Sequence, residues 1–505
     1  MIARAPNVLI VMADQMAPAF LPIYGHRATR APNMEALARS GATFESAYCG
    51  SPLCSPSRAS FITGLLPSRT KVYDNAAEFS ADIPTFAHHL RLRGYRTILS
   101  GKMHFCGPDQ LHGFEERLTT DIYPADYGWT PDWSRPEDRP SWYHNMSSVA
   151  QAGVCVRTNQ LDFDDEVAFA SERALFDIAR SNDRRPFLLV ASFTHPHDPF
   201  AVPQRYWDLY RDEDIDAPSP PPQVYDPHSL RLRHVCAMEA EPVTAEQVRS
   251  ARRAYFGAIS YIDDQLGRLM EALCVCGLAQ DTIIIFTSDH GEMLGERGLW
   301  YKMSFFEGAC RVPLVVASAG RFPPRRVRAS VSLLDLLPTL VDFAGGDAAA
   351  LGPSVDGASL APHLLGRDGR NEAVGEYLAE GAIAPMVMIR RGPHKFVHSP
   401  ADPDQLYDVE RDPGERENLA RLAKHAGDVA AFRDEVGRRW NLDALDKEVR
   451  ESQRRRRLVA EALAKGEVRA WDFQPVRDAS KQYIRNTIDL DDLEATARFP
   501  RVVDR

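Results

Sequence analysis

Long apolar runs are missing from this sequence of 505 residues. The run closest to the amino terminus, Val8 to Ala13, is followed directly by Asp14. It is too short for the core of a signal peptide and far too short for a membrane span. Since no other stretch is long enough either, we expect a cytoplasmic protein with no membrane partner.

An excess of basic residues is also missing. The formal net charge is −10, whereas proteins that bind nucleic acid need a basic face to neutralise phosphates. Hydrophobic residues make up 44% of the chain and charged residues 26%, which is typical of ordinary globular proteins. We therefore expect a folded protein that does not bind nucleic acid.

Cysteine pairs with the spacing of a redox or zinc motif are absent as well. The eight cysteines are scattered along the chain, and one residue rather than two separates Cys274 from Cys276. In a reducing compartment such cysteines should mostly be free thiols.

Short β-branched runs alternate with helical patterns through the first two thirds of the chain. This alternation predicts an α/β fold with an open, mostly parallel, doubly wound sheet. The predicted strands are Val8 to Ala13, Arg96 to Leu99, Phe187 to Phe193, Thr282 to Thr287 and Val312 to Ala317. The predicted helices are Asn33 to Ser40, Ile83 to Arg93, Asp165 to Arg180 and Ala251 to Leu273.

The chain is too long for one core, because single cores stop growing at about 250 to 300 residues. We predict a catalytic domain over residues 1–370, a smaller α+β domain over 371–465 and an extended tail over 466–505. Residues 205–250 are rich in Pro, Asp and Arg, and this composition predicts a surface insertion.

Ionisable side chains follow four of the predicted strands. Taken singly, each is more typical of a turn, a helix cap or a solvated surface. Ligands of open α/β sheets, however, bind beyond the carboxyl ends of the strands, and convergent titratable groups there indicate a site. The residues are Asp14 and Gln15; Lys102 and His104; His195, His197 and Asp198; and Asp289 and His290.

Part of this set suits one divalent metal ion. Asp14, Gln15, Asp289 and His290 offer oxygen and nitrogen ligands. Oxygen ligands favour Ca²⁺ or Mg²⁺ and an imidazole favours Mn²⁺, so Ca²⁺ is favoured but the choice stays open. Positive charge for the oxygens of an anionic ester would come from Arg58, Lys102, His104, His195 and Lys302.

The most specific motif is Cys54-Ser55-Pro56-Ser57-Arg58. Pro56 suits the first turn of a helix, whose free amide groups favour an anion. Arg58 follows Cys54 by four residues, about 6 Å along one helix face, so its guanidinium should reach a charged group at Cys54. The alternative is a buried free cysteine beside a helix cap.

This motif resembles the sulfatase signature Cys-x-Pro-x-Arg, and the chain is similar to the sulfatase family of the alkaline-phosphatase-like superfamily. The resemblance implies that a formylglycine-generating enzyme, or an equivalent, oxidises Cys54 to formylglycine. The hydrated aldehyde would then bind the metal and act as the nucleophile, which divides the reaction into two easier steps. Matching segments are Pro6 to Leu9, Gly101 to His104, Ser288 to Gly291 and Gln405 to Asp408.

The pairs Asp14-Gln15 and Asp289-His290 depart from the Asp-Asp and Asp-Asn of many sulfatases. They are similar to a branch that contains choline sulfatases and phosphonate monoester hydrolases. Further segments resemble the choline sulfatases, which implies choline sulfate as the substrate. It also implies a homodimer or homotetramer in which the tail contacts a neighbouring subunit and completes its active site. These segments are Val72 to Phe79, Gly128 to Asp132, Trp142 to Asn145 and Trp471 to Pro475.

A trimethylammonium group has no hydrogen-bond donor, so proteins bind it with aromatic faces and nearby oxygens. Trp129, in a loop flanked by Gly and Pro, is the leading candidate for this contact, with Asn75, His144 and Asn145 around it. Trp142 and Tyr143 are instead expected to be core residues.

Two alternatives remain open at the level of sequence. The same metal and nucleophile would serve a phosphonate monoester or phosphodiester hydrolase. If Cys54 stays a thiol, the protein would bind a sulfate ester without turnover.

Overall fold

The structure is a computed structural model that describes residues 5–469, 471–476, 478–485 and 487–500. The predicted tail, residues 466–505, therefore lies partly outside the described residues. In chain order the strands are β1 (Asn7–Ala13), β2 (Gly41–Tyr48), β3 (Arg96–Gly101), β4 (Glu116–Arg117), β5 (Gly153–Cys155), β6 (Phe187–Ser192), β7 (Ala201–Pro203), β8 (Thr282–Ser288), β9 (Arg311–Ser318), β10 (Arg325–Ser332), β11 (Glu372–Tyr377), β12 (Met386–Arg391), β13 (His394–Ser399) and β14 (Asp402–Asp408).

The helices lie between and after these strands. They are α1 (Pro32–Ser40), α2 (Cys54–Thr63), α3 (Pro67–Thr70), α4 (Phe86–Arg91), α5 (Ser147–Ala150), α6 (Asn159–Arg180), α7 (Gln204–Trp207), α8 (Pro227–Val235), α9 (Ala245–Val275), α10 (Glu307–Cys310), α11 (Leu336–Phe343), α12 (Ala361–Leu364), α13 (Ala426–Arg439), α14 (Leu442–Leu463) and α15 (Leu490–Ala497).

An eight-stranded sheet with the order β10-β2-β9-β8-β1-β6-β3-β4 forms the centre of the molecule. β1 pairs in parallel with both β6 and β8, and every residue of β1 is buried. A strand covered on both faces reads as a continuous apolar run, which is why β1 is recognisable in the sequence. Only β9 runs antiparallel to its neighbours, β2 and β8. The predicted α/β fold with a mostly parallel sheet is confirmed.

Three strands of this sheet, β2, β4 and β10, were not predicted, and β4 has only two residues. β2 interrupts its apolar residues with Glu45 and Ser46, and β10 carries three arginines. β10 is an edge strand with exposed positions, so it lacks the apolar pattern of a central strand.

A smaller antiparallel sheet has the order β11-β12-β13-β14. Together with α13 and α14, which follow it, this sheet lies in the stretch predicted as a smaller α+β domain. The boundaries of the three predicted domains stay a prediction.

α9 is the longest of the described helices, and it supports the loop that follows β1. Its first turn is capped by Thr244, whose side chain accepts a hydrogen bond from the amide of Gln247. The helix thus begins before the predicted Ala251, and α7 and α8 lie within the stretch predicted as a surface insertion. The hydroxyl of Tyr255 on α9 donates to the carbonyl oxygen of Gln15 at 2.7 Å. Among the described residues, no helix is both long enough and apolar enough to cross a bilayer.

Candidate active site

Four buried side chains converge beyond the carboxyl ends of β1 and β8. Asp14 follows β1, Asp289 and His290 follow β8, and Cys54 begins α2. Each offers one ligand atom, and these atoms all lie within 4.8 Å of one another. Nε2 of His290 is 3.3 Å from Sγ of Cys54, and Oδ1 of Asp14 has no hydrogen-bond partner among the described residues. Two carboxylates, one of which has an oxygen without a hydrogen-bond partner, and an imidazole fit a divalent cation.

Gln15 lies beside this cluster in a left-handed backbone conformation, with φ of 63°. Its backbone amide donates to Oδ1 of Asp289 at 3.0 Å. Its side-chain oxygen accepts a hydrogen bond from Lys302 Nζ at 2.6 Å, and its side-chain nitrogen donates to Glu292. The amide oxygen of Gln15 is therefore held toward the side of the site that Lys302 occupies.

Positive charge surrounds Cys54. Burial alone would raise the pKa of its thiol, but Lys102, Lys302 and His290 hold that pKa well below its usual value. Nζ of Lys102 also bonds to Asp14 and lies 4.1 Å from the ring centre of Tyr123. The electrostatic environment at Cys54 is thus suited to an anionic group.

Arg58 bonds to the two carboxylates at the strand ends. Side chains of a helix tilt toward its amino terminus, and there the guanidinium meets the two carboxylates from the strand ends. Its Nε lies 2.8 Å from Asp289 and its NH2 lies 3.1 Å from Asp14, with all three side chains fully buried. Arg58 therefore neutralises the two carboxylates. Burial alone would lower the pKa of its guanidinium, but Asp289, Asp14 and the nearby Cys54 raise it.

His195 and His197 separate after β6. Nδ1 of His195 lies 2.7 Å from Asp164 of α6, which also accepts hydrogen bonds from the amides of Thr194 and His195. This carboxylate fixes the orientation of the His195 ring, whose Nε2 is buried without a hydrogen-bond partner among the described residues. His197 instead lines the cavity at Cys54, and its Nε2 lies 2.8 Å from Nζ of Lys302. His197 was predicted to lie at this strand end, but only His195 was given a role there.

The cavity has two chemically different ends. Charged and imidazole groups line the end at the nucleophile position, where His104, His197 and Lys302 surround Cys54. Aromatic groups line the other end, where the rings of Trp129 and Trp142 stack with centres 6.2 Å apart and planes inclined by 13°. The remaining lining residues are Asn75, Tyr123, Tyr143, His144 and Glu380.

Four aromatic and polar residues near the head-group end differ in their positions. Tyr143 is a buried member of the core, as expected, and Trp142 packs against that core, but both also line the cavity. Asn145 is not among the lining residues, because its side chain accepts a hydrogen bond from the amide of Ser147 and its carbonyl oxygen accepts one from Tyr301. His144 does line the cavity, and its ring stacks on Tyr301 with centres 4.3 Å apart.

Glu380 was missed. It follows β11, and its Oε2 is buried without a hydrogen-bond partner among the described residues. Burial raises the pKa of this carboxyl to about 7. The signal in the sequence was an acidic residue directly after the apolar run Tyr377-Leu378-Ala379, since a carboxyl group in such surroundings is more often functional than structural.

Comparison with known proteins identifies the family. The family model described as Sulfatase matches residues 6–346, and the one described as Choline sulfatase enzyme C terminal matches residues 447–499. The choline-sulfatase of Rhizobium meliloti (strain 1021) is 50% identical, over 98% of this chain and 99% of its own length. Human iduronate 2-sulfatase is 32% identical, over 68% of this chain and 69% of its own.

A solved structure has the same fold. The phosphonate monoester hydrolase of Agrobacterium radiobacter superimposes with a TM-score of 0.68 at 27% identity, and covers 87% of this chain and 96% of its own. The matched sulfatase region contains Asp14, Cys54 and Asp289, the residues that converge at the cavity. The chain therefore belongs to the sulfatase family, within the alkaline-phosphatase-like superfamily, and is an enzyme that hydrolyses sulfate esters.

Proposed function

We propose that this sulfatase hydrolyses choline sulfate to choline and sulfate. The observation that carries the proposal is the pairing, in one cavity, of a cationic end at Cys54 with an aromatic and carboxylate end at Trp129, Trp142 and Glu380. A zwitterionic ester with a sulfate at one end and a quaternary ammonium at the other matches this polarity. The name of the Rhizobium meliloti relative supports the same substrate.

The head group would be recognised without hydrogen bonds. A quaternary ammonium is attracted to the faces of tryptophan rings, most strongly where water is excluded. The two stacked rings of Trp129 and Trp142 offer such faces, and the ionised form of Glu380 would supply the opposite charge. Asn75 and His144 complete this end of the cavity.

The sulfate group would lie among Lys102, Lys302 and His104, whose positive charge and hydrogen-bond donors oppose the charge that develops on its oxygens. His197 would deliver a proton from Nε2 to the leaving choline oxygen, because this nitrogen faces the cavity and lies beside the ammonium of Lys302. We assign this role to His197 in place of His195, because His197 lines the cavity at Cys54 and His195 is not among the lining residues.

We also propose that Cys54 is converted to formylglycine by a formylglycine-generating enzyme or an equivalent. When hydrated, this group supplies an oxygen nucleophile at the position of the thiol. One divalent cation, with Ca²⁺ favoured over Mn²⁺ or Mg²⁺, would be held by Asp14, Gln15, Asp289, His290 and the modified residue. When bound, the cation lowers the pKa of an oxygen nucleophile. Arg58 would balance the two carboxylates.

The exposed apolar side chains of the tail motivate a proposal about assembly. Val476, Tyr483 and Ile484 are exposed apolar side chains in the described part of residues 466–505. We propose that this tail contacts a second copy in a homodimer or homotetramer and completes the partner's active site. Truncation after residue 465 should lower the molar mass measured by light scattering to that of a monomer.

A substrate comparison tests the proposed activity. The value of kcat/KM should be far higher for choline sulfate than for a phosphonate monoester. It should also be higher than for 4-nitrophenyl sulfate after correction for the better leaving group of that substrate. The fold shared with the phosphonate monoester hydrolase favours that activity as the second candidate, and a preference for the phosphonate would establish it instead.

The mass of the active-site peptide tests the nucleophile. A peptide carrying Cys54 should have the mass of the aldehyde, and Cys54→Ala should abolish turnover while Cys276→Ala, at the end of α9, retains it. An unmodified thiol in active enzyme would exclude formylglycine.

A further inference from the structure

An arginine of α14 joins the two loops that carry the head-group side chains. NH1 and NH2 of Arg456 donate to the two carboxylate oxygens of Asp74, each at 2.7 Å. NH1 also donates to Oγ1 of Thr130 at 3.1 Å. Asp74 precedes Asn75 and Thr130 follows Trp129 in the sequence. One guanidinium therefore bonds to the residue next to each of two cavity side chains.

These three partners are buried. Asp74 is fully enclosed, while Arg456 is 6% and Thr130 is 7% exposed. A carboxylate that is buried in this way needs a charged partner with matching geometry. The two parallel hydrogen bonds between Arg456 and Asp74 supply both the charge and a fixed orientation.

The Asp74 loop is also joined to the nucleophile helix. Oδ1 of Asp74 accepts a hydrogen bond from the amide of Ala76 at 3.0 Å, which shapes the loop. The side-chain oxygen of Asn75 accepts one from the amide of Ser55, also at 3.0 Å. Ser55 is the residue after Cys54. The hydrogen bonds of Arg456 to Asp74 therefore help to fix the position of the Asn75 loop relative to the nucleophile.

A second residue of α14 supports the same wall of the cavity. Oε1 of Gln453 accepts a hydrogen bond from the amide of Trp133 at 3.0 Å. Nε1 of Trp133 donates to the carbonyl oxygen of Ala379 at 2.9 Å, and Ala379 precedes Glu380. α14 is thus connected to three of the segments that form the head-group end of the cavity, those that carry Asn75, Trp129 and Glu380.

We propose that Arg456 is a positioning residue that sets head-group specificity. From α14 it holds the Asn75 and Trp129 loops at the spacing that a quaternary ammonium requires. Arg456 lies in the segment matched by the choline sulfatase C-terminal family model and outside residues 6–346, which the general sulfatase model matches. Head-group recognition thereby depends on a part of the chain separate from the shared catalytic region. This inference rests on the proposed choline sulfate activity.

Replacement of Arg456 by lysine tests whether the planar guanidinium group is required. Lysine keeps the charge but cannot make two parallel bonds to a carboxylate while reaching a third oxygen. We expect choline alone, measured by calorimetry, to bind Arg456→Lys about tenfold more weakly, the loss typical of a cation displaced from its aromatic partner. KM for choline sulfate should rise by a similar factor. kcat and KM for 4-nitrophenyl sulfate, which has no cationic group, should change far less.

Two further variants separate positioning from folding. Asp74→Asn combined with Arg456→Gln removes both charges, so no uncompensated charge stays buried; this variant should fold and still lose choline affinity. Arg457→Gln is the matched control, because it breaks an ion pair with Asp132 of the same loop from the exposed side of α14. It should retain wild-type choline affinity.

The outcomes are distinguishable. Equal losses on choline sulfate and 4-nitrophenyl sulfate, or unchanged choline affinity in folded Arg456→Lys and in the double variant, would overturn the role of Arg456. If wild-type enzyme neither binds choline nor prefers choline sulfate, the proposed function itself fails. Wild-type preference that persists in the Arg456 variants would contradict this inference alone.

Discussion

The ammonium of Lys302 lies 2.8 Å from Nε2 of His197. Nδ1 of the same ring lies 2.8 Å from the carbonyl oxygen of Asp198, which only accepts hydrogen bonds, so Nδ1 carries a proton. Nε2 accepts the hydrogen bond from the Lys302 ammonium in this arrangement, and the doubly protonated ring would pass its Nε2 proton to the leaving oxygen. Two titratable groups are therefore in contact at the position where the leaving oxygen needs a proton.

His197→Ala should slow hydrolysis of choline sulfate by about 10²- to 10⁴-fold, the usual contribution of a positioned general acid. Choline is a poor leaving group that must be protonated, whereas 4-nitrophenol leaves readily as its anion. The variant should consequently lose much less activity on 4-nitrophenyl sulfate. Steady-state kinetics on both substrates measures the difference.

His195→Asn is the control for that variant, since the asparagine can still donate a hydrogen bond to Asp164. It should retain most activity on both substrates. If His195→Asn shows the leaving-group-dependent loss and His197→Ala does not, the assignment of the two histidines is reversed.

Asp14→Asn should lower metal content, because it removes an anionic ligand while conserving the shape of the side chain. We expect the affinity for Ca²⁺ or Mn²⁺ to fall by at least about tenfold, since even partners that only orient metal ligands contribute that much. Metal content per chain after dialysis, measured by plasma mass spectrometry, gives the result without reference to activity.

Asp164→Asn provides a buried carboxylate outside the proposed metal site as the comparison for Asp14→Asn. Its metal content should match that of the wild type. Equal metal content in Asp14→Asn, Asp289→Asn and the wild type would rule out the proposed ligands.

The parts of the site that are close in sequence were predictable, and the parts joined over long distances were not. The motif from Cys54 to Arg58 lies on one helix, and Asp14 and Asp289 follow strands that are buried on both faces. The partner of Arg58 could not be predicted, because Asp289 is 231 positions away. Helix periodicity gives the face on which a side chain lies but not what the fold brings against that face.

The two histidines after β6 show the same limit. The sequence places both at the strand end, but it does not show that Asp164 on α6 bonds to His195 or that His197 lines the cavity. Glu380 follows an apolar run in the sequence, but that run does not show that the end of β11 lies at the cavity.

Choline affinity should increase as pH rises through about 7, the pKa to which burial raises Glu380. Below this pH the carboxyl is protonated and a bound cation must displace the proton. Above it the carboxylate is already ionised. The nearby charges act in opposite directions, since Asp74 and Cys54 raise this pKa and Lys302 lowers it.

The expected slope is up to about a tenfold gain in affinity per pH unit below the pKa, levelling off above it, as linkage to one proton requires. Calorimetric titration of choline between pH 5.5 and about 8.5 measures it, with buffers of different ionisation enthalpy to count released protons. Glu380→Gln should remove both the slope and the proton release. A slope that persists in Glu380→Gln would assign the titration to another group.

Trp129→Leu should weaken recognition of the head group and leave the sulfate end intact, because cation–ring attraction acts only on the quaternary ammonium. The loss should be about 1 to 2 kcal/mol, or about five- to thirtyfold in kcat/KM for choline sulfate. Trp142→Leu should have an effect of the same kind, since its ring stacks on Trp129.

Trp207→Leu is the control, because Trp207 packs on the guanidinium of Arg253 and does not line the cavity. Leucine keeps an apolar surface but has no ring electrons, so the penalty must be confined to the cationic substrate. Equal losses on choline sulfate and 4-nitrophenyl sulfate would show that Trp129 supports its loop and does not bind the cation.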